Sequence, residues 1–355
     1  MFVKMVSKNY SPKDIKNVRT ISIIMWGLLG DVLIRTPVLE ALSKIFPDAK
    51  ITVIVDPIGA KVLASHKKVN DIIVIKRDKK NKILYNFNKI KTILNIRKRK
   101  FDLIVNLYNG GSSPLLVLLS GAKYKLGFCL KENEKIYNIK YKCEKDRLKQ
   151  NQSLYNYMIS IVEPFSNKNF SLKPTFYISQ EEEIKAKNYL NTLKVNLNKT
   201  YLLNFGSGDL RKVLENKKYF SLIKYIYDKY DFLPLIISNP NQEFLQENFI
   251  NDFLKKSYIP YIKLKTLSLE KLAYFIKSTK FIITPDTGIM HLAMVYDNPI
   301  YAIFTYTNPI FVDIGLKNFI PVYENFTKNE FYKKQNISEK TLFQKIDKLF
   351  NLLSS

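Results

Sequence analysis

The stretch Phe281-Ile282-Ile283-Thr284-Pro285-Asp286-Thr287-Gly288-Ile289-Met290-His291-Leu292-Ala293 changes character twice. It begins as a β-branched and aromatic run, the pattern of a buried strand. It breaks at Pro285, turns through Asp286-Thr287-Gly288, and continues over residues 289–295 as an apolar periodic segment that reads as a helix. A strand, a tight turn and a helix in that order place the free N–H groups of a helix start at a strand end, where an anion can be met. Asp286 or Thr287 can cap the helix, and Gly288 lets a ligand come close to the main chain. The same residues equally describe an ordinary capped helix in an α/β protein.

The alternation recurs along the chain. Residues 21–25 read as a first strand, 27–30 as a turn, and a helix runs on toward Ile45 with Val32, Leu39, Leu42 and Ile45 on its apolar face. Pro37 interrupts that helix or marks a second start. Residues 51–55 form a strongly apolar second strand, so the unit is βαβ and the sheet parallel. Short strands follow at 72–75, 101–107 and 123–128, with a basic helix at 83–96 and a short apolar one at 114–119. The 101–107 strand leads to Asn109-Gly110-Gly111-Ser112. Residues 131–173 are polar and irregular apart from a helix at 154–162, and 164–174 is a plausible hinge. Beyond it the pattern resumes, with strands at 201–205, 232–237 (ending at Ser238-Asn239-Pro240), 261–264, 281–283 and 300–304, the last of the series. Helices lie between them, and an amphipathic helix closes the chain at 339–353. The reading is α/β, with two doubly wound Rossmann-like domains facing a cleft. The first covers residues 1–170, the second 171–335, and the closing helix 336–355. Ligands of such sheets bind beyond the carboxyl ends of strands. Three turns sit there: Gly30-Asp31, Gly206-Ser207-Gly208 and Asp286-Thr287-Gly288.

Two of these motifs carry a resemblance. Asp286-Thr287-Gly288-Ile289-Met290-His291-Leu292-Ala293 is similar to the signature of the family 9 glycosyltransferases, the ADP-heptose transferases of lipopolysaccharide core assembly. Residues 21–37, with Gly30-Asp31 at their turn, resemble that family's opening strand and turn. The resemblance implies the GT-B arrangement, in which the final helix crosses back to the first domain. It implies an inverting, metal-independent transfer of heptose from ADP-heptose to a lipopolysaccharide inner-core acceptor, with no cofactor beyond the donor. Another acceptor, a protein or a different surface glycan, fits the same motifs.

By its residue type and place, Asp31 is either a helix cap or a general base aimed at an acceptor hydroxyl. The resemblance implies the base. In Gly206-Ser207-Gly208-Asp209-Leu210-Arg211-Lys212, the glycines permit close approach, Ser207 can donate to a phosphate oxygen, and Arg211 or Lys212 supplies positive charge. The family has Lys-x-Trp-Pro here, whereas this chain reads Arg211-Lys212-Val213-Leu214. Arg211 takes the usual lysine's place, with Lys212 next to it. Thr287, Gly288 and Ile289 could present N–H groups to the diphosphate, and Asp286 orients the turn. His291, one turn after Thr287, either contacts the donor or packs.

The net charge is +26, and residues 1–175 hold 33 Lys+Arg against 13 Asp+Glu, a net +20. Such a field attracts an anionic substrate, an anionic membrane surface or nucleic acid. No nucleic-acid-binding motif accompanies it. The resemblance places anionic inner-core sugars beside this charge, with Gly30, Lys61, Lys67 and Lys68 as candidate acceptor-binding residues. A solvated lysine-rich face is the plainer account of any one of them. The two cysteines, Cys129 and Cys143, and two histidines, His66 and His291, have no metal-ligand spacing. Neither a signal peptide nor an apolar run of membrane-spanning length is present. The expected place is the cytoplasm, with peripheral attachment to the inner membrane by electrostatics.

Overall fold

The computed structural model describes residues 9–75, 82–108, 110–128, 135–139, 153–237, 242–327 and 330–354. Asn109, Cys129, Cys143, much of the irregular stretch after residue 130 and the Ser238-Asn239-Pro240 turn lie outside them. The chain divides into two compact units, Met1–Tyr177 and Ile178–Ser355.

Unit 1 is built on five strands, β1 (Thr20–Ile24), β2 (Lys50–Val55), β3 (Asp71–Val74), β4 (Leu103–Asn106) and β5 (Tyr124–Gly127). All pair in parallel, in the order β3-β2-β1-β4-β5. The helices are α1 (Leu29–Ile45), α2 (Pro57–Leu63), α3 (Lys82–Lys98), α4 (Ser113–Leu119) and α5 (Leu154–Ile159). β4 is buried along its whole length, which explains its continuous apolar reading. α1 passes through Pro37 as one helix. Proline removes the N–H that would bond the Leu33 carbonyl, and Thr36 Oγ1 donates to that carbonyl at 2.8 Å instead. The expected interruption therefore does not occur.

The expected 170/171 boundary moves to 177/178 because residues up to Tyr177 are tied to α1. The Thr175 N–H donates to Thr36 Oγ1 (2.8 Å), and the Tyr177 hydroxyl donates to Glu40 Oε1 (3.2 Å). His66 completes this cluster. The Lys68 N–H donates to its Nδ1 at 3.3 Å, which puts the ring proton on Nε2, facing Thr175 Oγ1 at 2.9 Å.

Unit 2 has six parallel strands, β6 (Thr200–Asn204), β7 (Leu233–Ile237), β8 (Ile262–Lys263), β9 (Ile282–Pro285), β10 (Ile300–Ile303) and β11 (Phe319–Val322), in the order β11-β10-β9-β6-β7-β8. The helices are α6 (Gln180–Thr192), α7 (Asn216–Tyr230), α8 (Glu243–Phe249), α9 (Lys255–Ser257), α10 (Leu269–Ser278), α11 (Gly288–Ala293) and α12 (Glu339–Ser354). β11 is a strand that the sequence reading passes over, because Pro321 interrupts a short apolar run. It lies at the sheet edge, pairing only with β10, and an edge tolerates a residue without an N–H.

The closing helix α12, expected to return to the first domain, uses its apolar face in unit 2. Leu342, Ile346, Leu349 and Phe350 join that unit's core. Tyr225 of α7 stacks on Phe343 and Tyr230 on Phe350. Between these stacks, Asp347 accepts from the hydroxyls of Tyr225 (2.9 Å) and Tyr230 (2.6 Å) and from Lys229 Nζ (3.0 Å). Burial opposes the Asp347 charge, but the bonds from Tyr230, Lys229 and Tyr225 outweigh it and hold the carboxyl below its ordinary range.

The His66 cluster generates a pH dependence. Burial, with the Lys68 charge adding to it, pushes the imidazole down from 6.5 to about 4, and Glu40 at 3.6 Å does not outweigh them. The folded pKa lies below the unfolded one, so the unfolded chain takes up the proton first as the pH falls. The contribution is complete above about pH 6.5 and is lost progressively down to about pH 4. It amounts to on the order of 3 kcal/mol over that window. Urea unfolding between pH 7 and 4 should show this slope in the wild type and a flatter one in His66→Gln.

Candidate functional site

The order of each sheet reverses once, between β1 and β4 in unit 1 and between β6 and β9 in unit 2. At such a point neighbouring crossovers leave in opposite directions and open a crevice at the strands' carboxyl ends. Both motif sets lie there, one in each unit.

In unit 2, β6 ends at Asn204 and β9 at Pro285. Asn204 Nδ2 donates to Thr284 Oγ1 (3.0 Å) and Thr287 Oγ1 (3.3 Å), tying the two strand ends together. Its Oδ1 is buried without a hydrogen-bond partner. Thr287 takes the N-cap position of α11, but neither its side chain nor that of Asp286 bonds a helix N–H. Asp286 is 5% exposed and its Oδ2 accepts from Lys212 Nζ at 2.6 Å and from Thr307 Oγ1 at 2.7 Å. Thr287 spends its hydroxyl on Asn204. Gly288 and Ile289 follow in the first turn of α11, half-buried, and His291 lies one turn after Thr287, buried at 5% exposure.

Gly206 and Ser207 are buried behind the β6 end, and Gly208 is exposed. A Cβ at Gly208 would meet nothing within 4 Å, so glycine keeps this side of the turn open without being needed to form it. Ser207 Oγ accepts the Asp209 N–H at 3.2 Å, and its carbonyl accepts from Gln242 Nε2 at 2.7 Å. The two cations separate. Arg211 turns outward onto Asp209, with Nε to Oδ1 at 2.9 Å and Nη2 to Oδ2 at 2.8 Å. It also covers the Tyr306 ring at 4.3 Å and donates to that hydroxyl. Its bond to Asp209 raises the Arg211 pKa and lowers that of Asp209. Lys212 is the cation that faces the Asp286-Thr287 turn. Sequence counting put Arg211 first; the short helical turn Leu210–Lys212 directs the two side chains differently.

In unit 1 the corresponding turn is Trp26-Gly27-Leu28. Three charged side chains hold it. Arg35 Nη1 donates to the Trp26 carbonyl at 2.6 Å, Asp56 Oδ2 accepts the Gly27 N–H at 2.9 Å, and Asp31 Oδ2 accepts the Leu28 N–H at 2.9 Å. Gly27 has φ +140°, and a Cβ there would fall 2.5 Å from that of Asp31. Here the glycine is obligatory, because the main chain must pass directly over the carboxylate. Gly30 opens α1 beside it. Asp31 is exposed and does cap α1, but through one oxygen only; among the described residues nothing donates to Oδ1. Arg35 is 6% exposed, with its Nε unpartnered. Burial lowers its pKa, opposed first by Asp31 and then by Tyr108 and Asp56. Arg35, Asp56 and Gly27 were not singled out from sequence. Asp56 had a signal, as a carboxylate directly after a strand.

The lysines chosen for the acceptor are not gathered at this turn. Lys61 is exposed on α2. Lys67 and Lys68 precede β3 and so lie at the amino edge of the parallel sheet, opposite Asp31, with Lys67 over the Tyr177 ring at 5.4 Å.

A family model described as glycosyltransferase family 9 (heptosyltransferase) matches residues 90–346. The match begins beyond the Asp31 turn. A lipopolysaccharide heptosyltransferase 3 of Escherichia coli is 37% identical over 100 residues, which is 27% of this chain and 28% of the relative. The chain thus spans about a quarter of that relative's length. Over greater length, a family 9 glycosyl transferase from Veillonella parvula superimposes with a TM-score of 0.77 at 18% identity, covering 95% of this chain and 98% of the other. An E. coli heptosyltransferase solved with ADP gives 0.70 at 17%, over 93% and 99%. The fold is that of the GT-B glycosyltransferases.

The separation of the two cations is measurable. Lys212→Met strands the buried Asp286 carboxylate and should cost about 3 kcal/mol in denaturant unfolding. Arg211→Met breaks an exposed pair and should cost less than about 1 kcal/mol. In Asp286→Asn the Lys212→Met cost should largely vanish.

Proposed function

The chain belongs to glycosyltransferase family 9 and is a glycosyltransferase, and from that premise we propose that it moves a heptose from ADP-heptose to an anionic inner-core sugar of lipopolysaccharide. In this reading the transfer inverts the sugar carbon and uses no metal ion. The observation that carries it is Lys212 held against Asp286 beside the Thr287-Gly288 turn.

Departure of ADP puts negative charge on a diphosphate oxygen. Lys212 has three N–H donors and spends one on Asp286, so the others are free for that oxygen. The main-chain N–H groups of Thr287, Gly288 and Ile289 add to it. Among the described residues no group of three His, Cys, Asp or Glu is arranged to hold a metal. The names of the relatives support the sugar and the acceptor, and the ADP bound by the E. coli heptosyltransferase supports the nucleotide.

Asp31 serves as the base. Its Oδ2 is engaged by Leu28, which fixes the carboxylate, and Oδ1 is free to take the acceptor hydroxyl proton. As that proton leaves, the acceptor oxygen bonds to the anomeric carbon from the face opposite the diphosphate. The bond to the diphosphate breaks and its electron pair departs with ADP. One displacement inverts the centre.

Asp31→Asn keeps the size and the cap but removes the base. It should lose at least about a hundredfold in turnover while binding ADP almost normally. Lys212→Met should weaken ADP binding and slow transfer together. Near-wild-type turnover in Asp31→Asn would return Asp31 to a purely capping role. A second measurement is transfer in excess EDTA, with a panel of nucleotide sugars and truncated core acceptors. Activity should persist, and loss reversed by a divalent ion would overturn the metal-independent reading.

A further inference from the structure

α3 of unit 1 presents two unlike faces. Ile93 and Ile96 pack toward the sheet, with Ile96 fully buried. A neighbouring face, about a third of the way round the helix, turns Ile90 and Leu94 to water at 58% and 61% exposure. These residues are four apart and share one side of the helix, and Lys98 continues the same line a turn further on. Lys91 flanks it, and Arg97 and Lys100 are exposed at the helix end.

Among the described residues, most of the charges here have no carboxylate partner. Residues 82–100 contain seven Lys+Arg and no Asp or Glu. Among the described residues, Arg99 reaches Asp71, but no carboxylate pairs with Lys91, Arg97, Lys98 or Lys100. Unit 2 pairs several of its exposed lysines, Lys185, Lys224, Lys229, Lys263 and Lys277, each with a carboxylate. A cavity of about 480 Å³ between β3 and α3 opens next to Lys91, with Asn88, Thr92 and Asn95 on its wall and the 44% exposed Val74 at its margin.

We propose that the outer face of α3, with Ile90 and Leu94 at its centre and Lys91, Arg97, Lys98 and Lys100 around them, docks the protein on an anionic lipid bilayer. Bulky aliphatic side chains on a convex helix enter the acyl boundary, while the lysine and arginine heads stay at the phosphate level. Asn88, Thr92 and Asn95 offer hydrogen bonds to a headgroup lying beside Lys91. Nucleic acid fits less well, since among the described side chains the centre of this face, Ile90 and Leu94, is aliphatic. The inference concerns a surface apart from the donor and base turns and does not rest on the proposed reaction.

Flotation of the full chain with phosphatidylcholine vesicles, with and without phosphatidylglycerol, tests it. The wild type should float only with the anionic vesicles, and less as salt rises. Ile90→Gln/Leu94→Gln and Lys91→Gln/Lys98→Gln should each lower the bound fraction about tenfold, with unchanged thermal unfolding. The control Lys255→Gln/Lys256→Gln removes the same charge from unit 2 and should bind as wild type. Turnover on a water-soluble acceptor should be unchanged in all of these variants, which keeps docking separable from transfer. Equal flotation with both vesicle types overturns the proposal, as do α3 variants that bind normally or a control pair that loses as much as the α3 pairs. Binding of a single-stranded oligonucleotide that depends on the α3 residues, without vesicle binding, overturns it in favour of nucleic acid.

Discussion

Parallel pairing is the constraint from which the rest follows. A parallel strand cannot return by a tight turn, so each connection must cross over the sheet, in most cases as a helix that covers it. In unit 1 this leaves β1 and β4 side by side, Ile21 opposite Leu103 and Ile24 opposite Asn106. In unit 2 it leaves β6 beside β9, Leu202 opposite Ile282. At both places the flanking helices diverge and leave a crevice beyond the buried strand ends. Asp31, after β1, and Asp286, after β9, are each brought by topology to the crevice of their own unit, on opposite sides of the order reversal.

Asp286 and Arg35, beside these crevices, are almost wholly withdrawn from water and have to be answered locally. Asp286 is answered by Lys212 and Thr307. Arg35 is answered by the Trp26 carbonyl and by the fields of Asp31 and Asp56. In return these groups hold the turns in place: the Trp26-Gly27-Leu28 main chain is gripped at three successive residues, which leaves little freedom to the carboxylate beneath it. Arg211, paired with Asp209 in the open, carries no such duty. The departure from Trp-Pro at Val213-Leu214 is accommodated because Leu214 still reaches the core of unit 2, and the cation facing the turn moves one place along the chain to Lys212.

The same accounting separates the two surfaces. Unit 2 ties several of its outer lysines to carboxylates and closes its last helix onto α7 through Asp347. In unit 1, among the described residues, the basic end of α3 has one carboxylate partner, Asp71 on Arg99. A surface of like charges repels itself and is retained more readily where something anionic lies against it.

The alternation of buried apolar runs with helices determined two doubly wound sheets, since period and length alone distinguish covered strands from amphipathic helices. The motifs at residues 30–31, 206–208 and 286–288 picked out three strand ends, and the sheet order places all three beside a reversal. Sequence spacing could not decide what each side chain there would meet. Asp286 looked like a helix cap, yet across the sheet it finds a lysine 74 residues earlier in the chain. Pro321 hid β11 because a proline's fitness in a strand depends on whether its N–H side faces a neighbour, and Pro37 looked like a helix break until the Thr36 hydroxyl filled the vacant bond. The closing helix read as amphipathic, but an apolar stripe does not name the surface that it covers. Periodicity and turn chemistry are local and are written in the chain. Partners are long-range, and only the packing of distant segments assigned Lys212 to Asp286, Thr175 to His66 and α12 to α7.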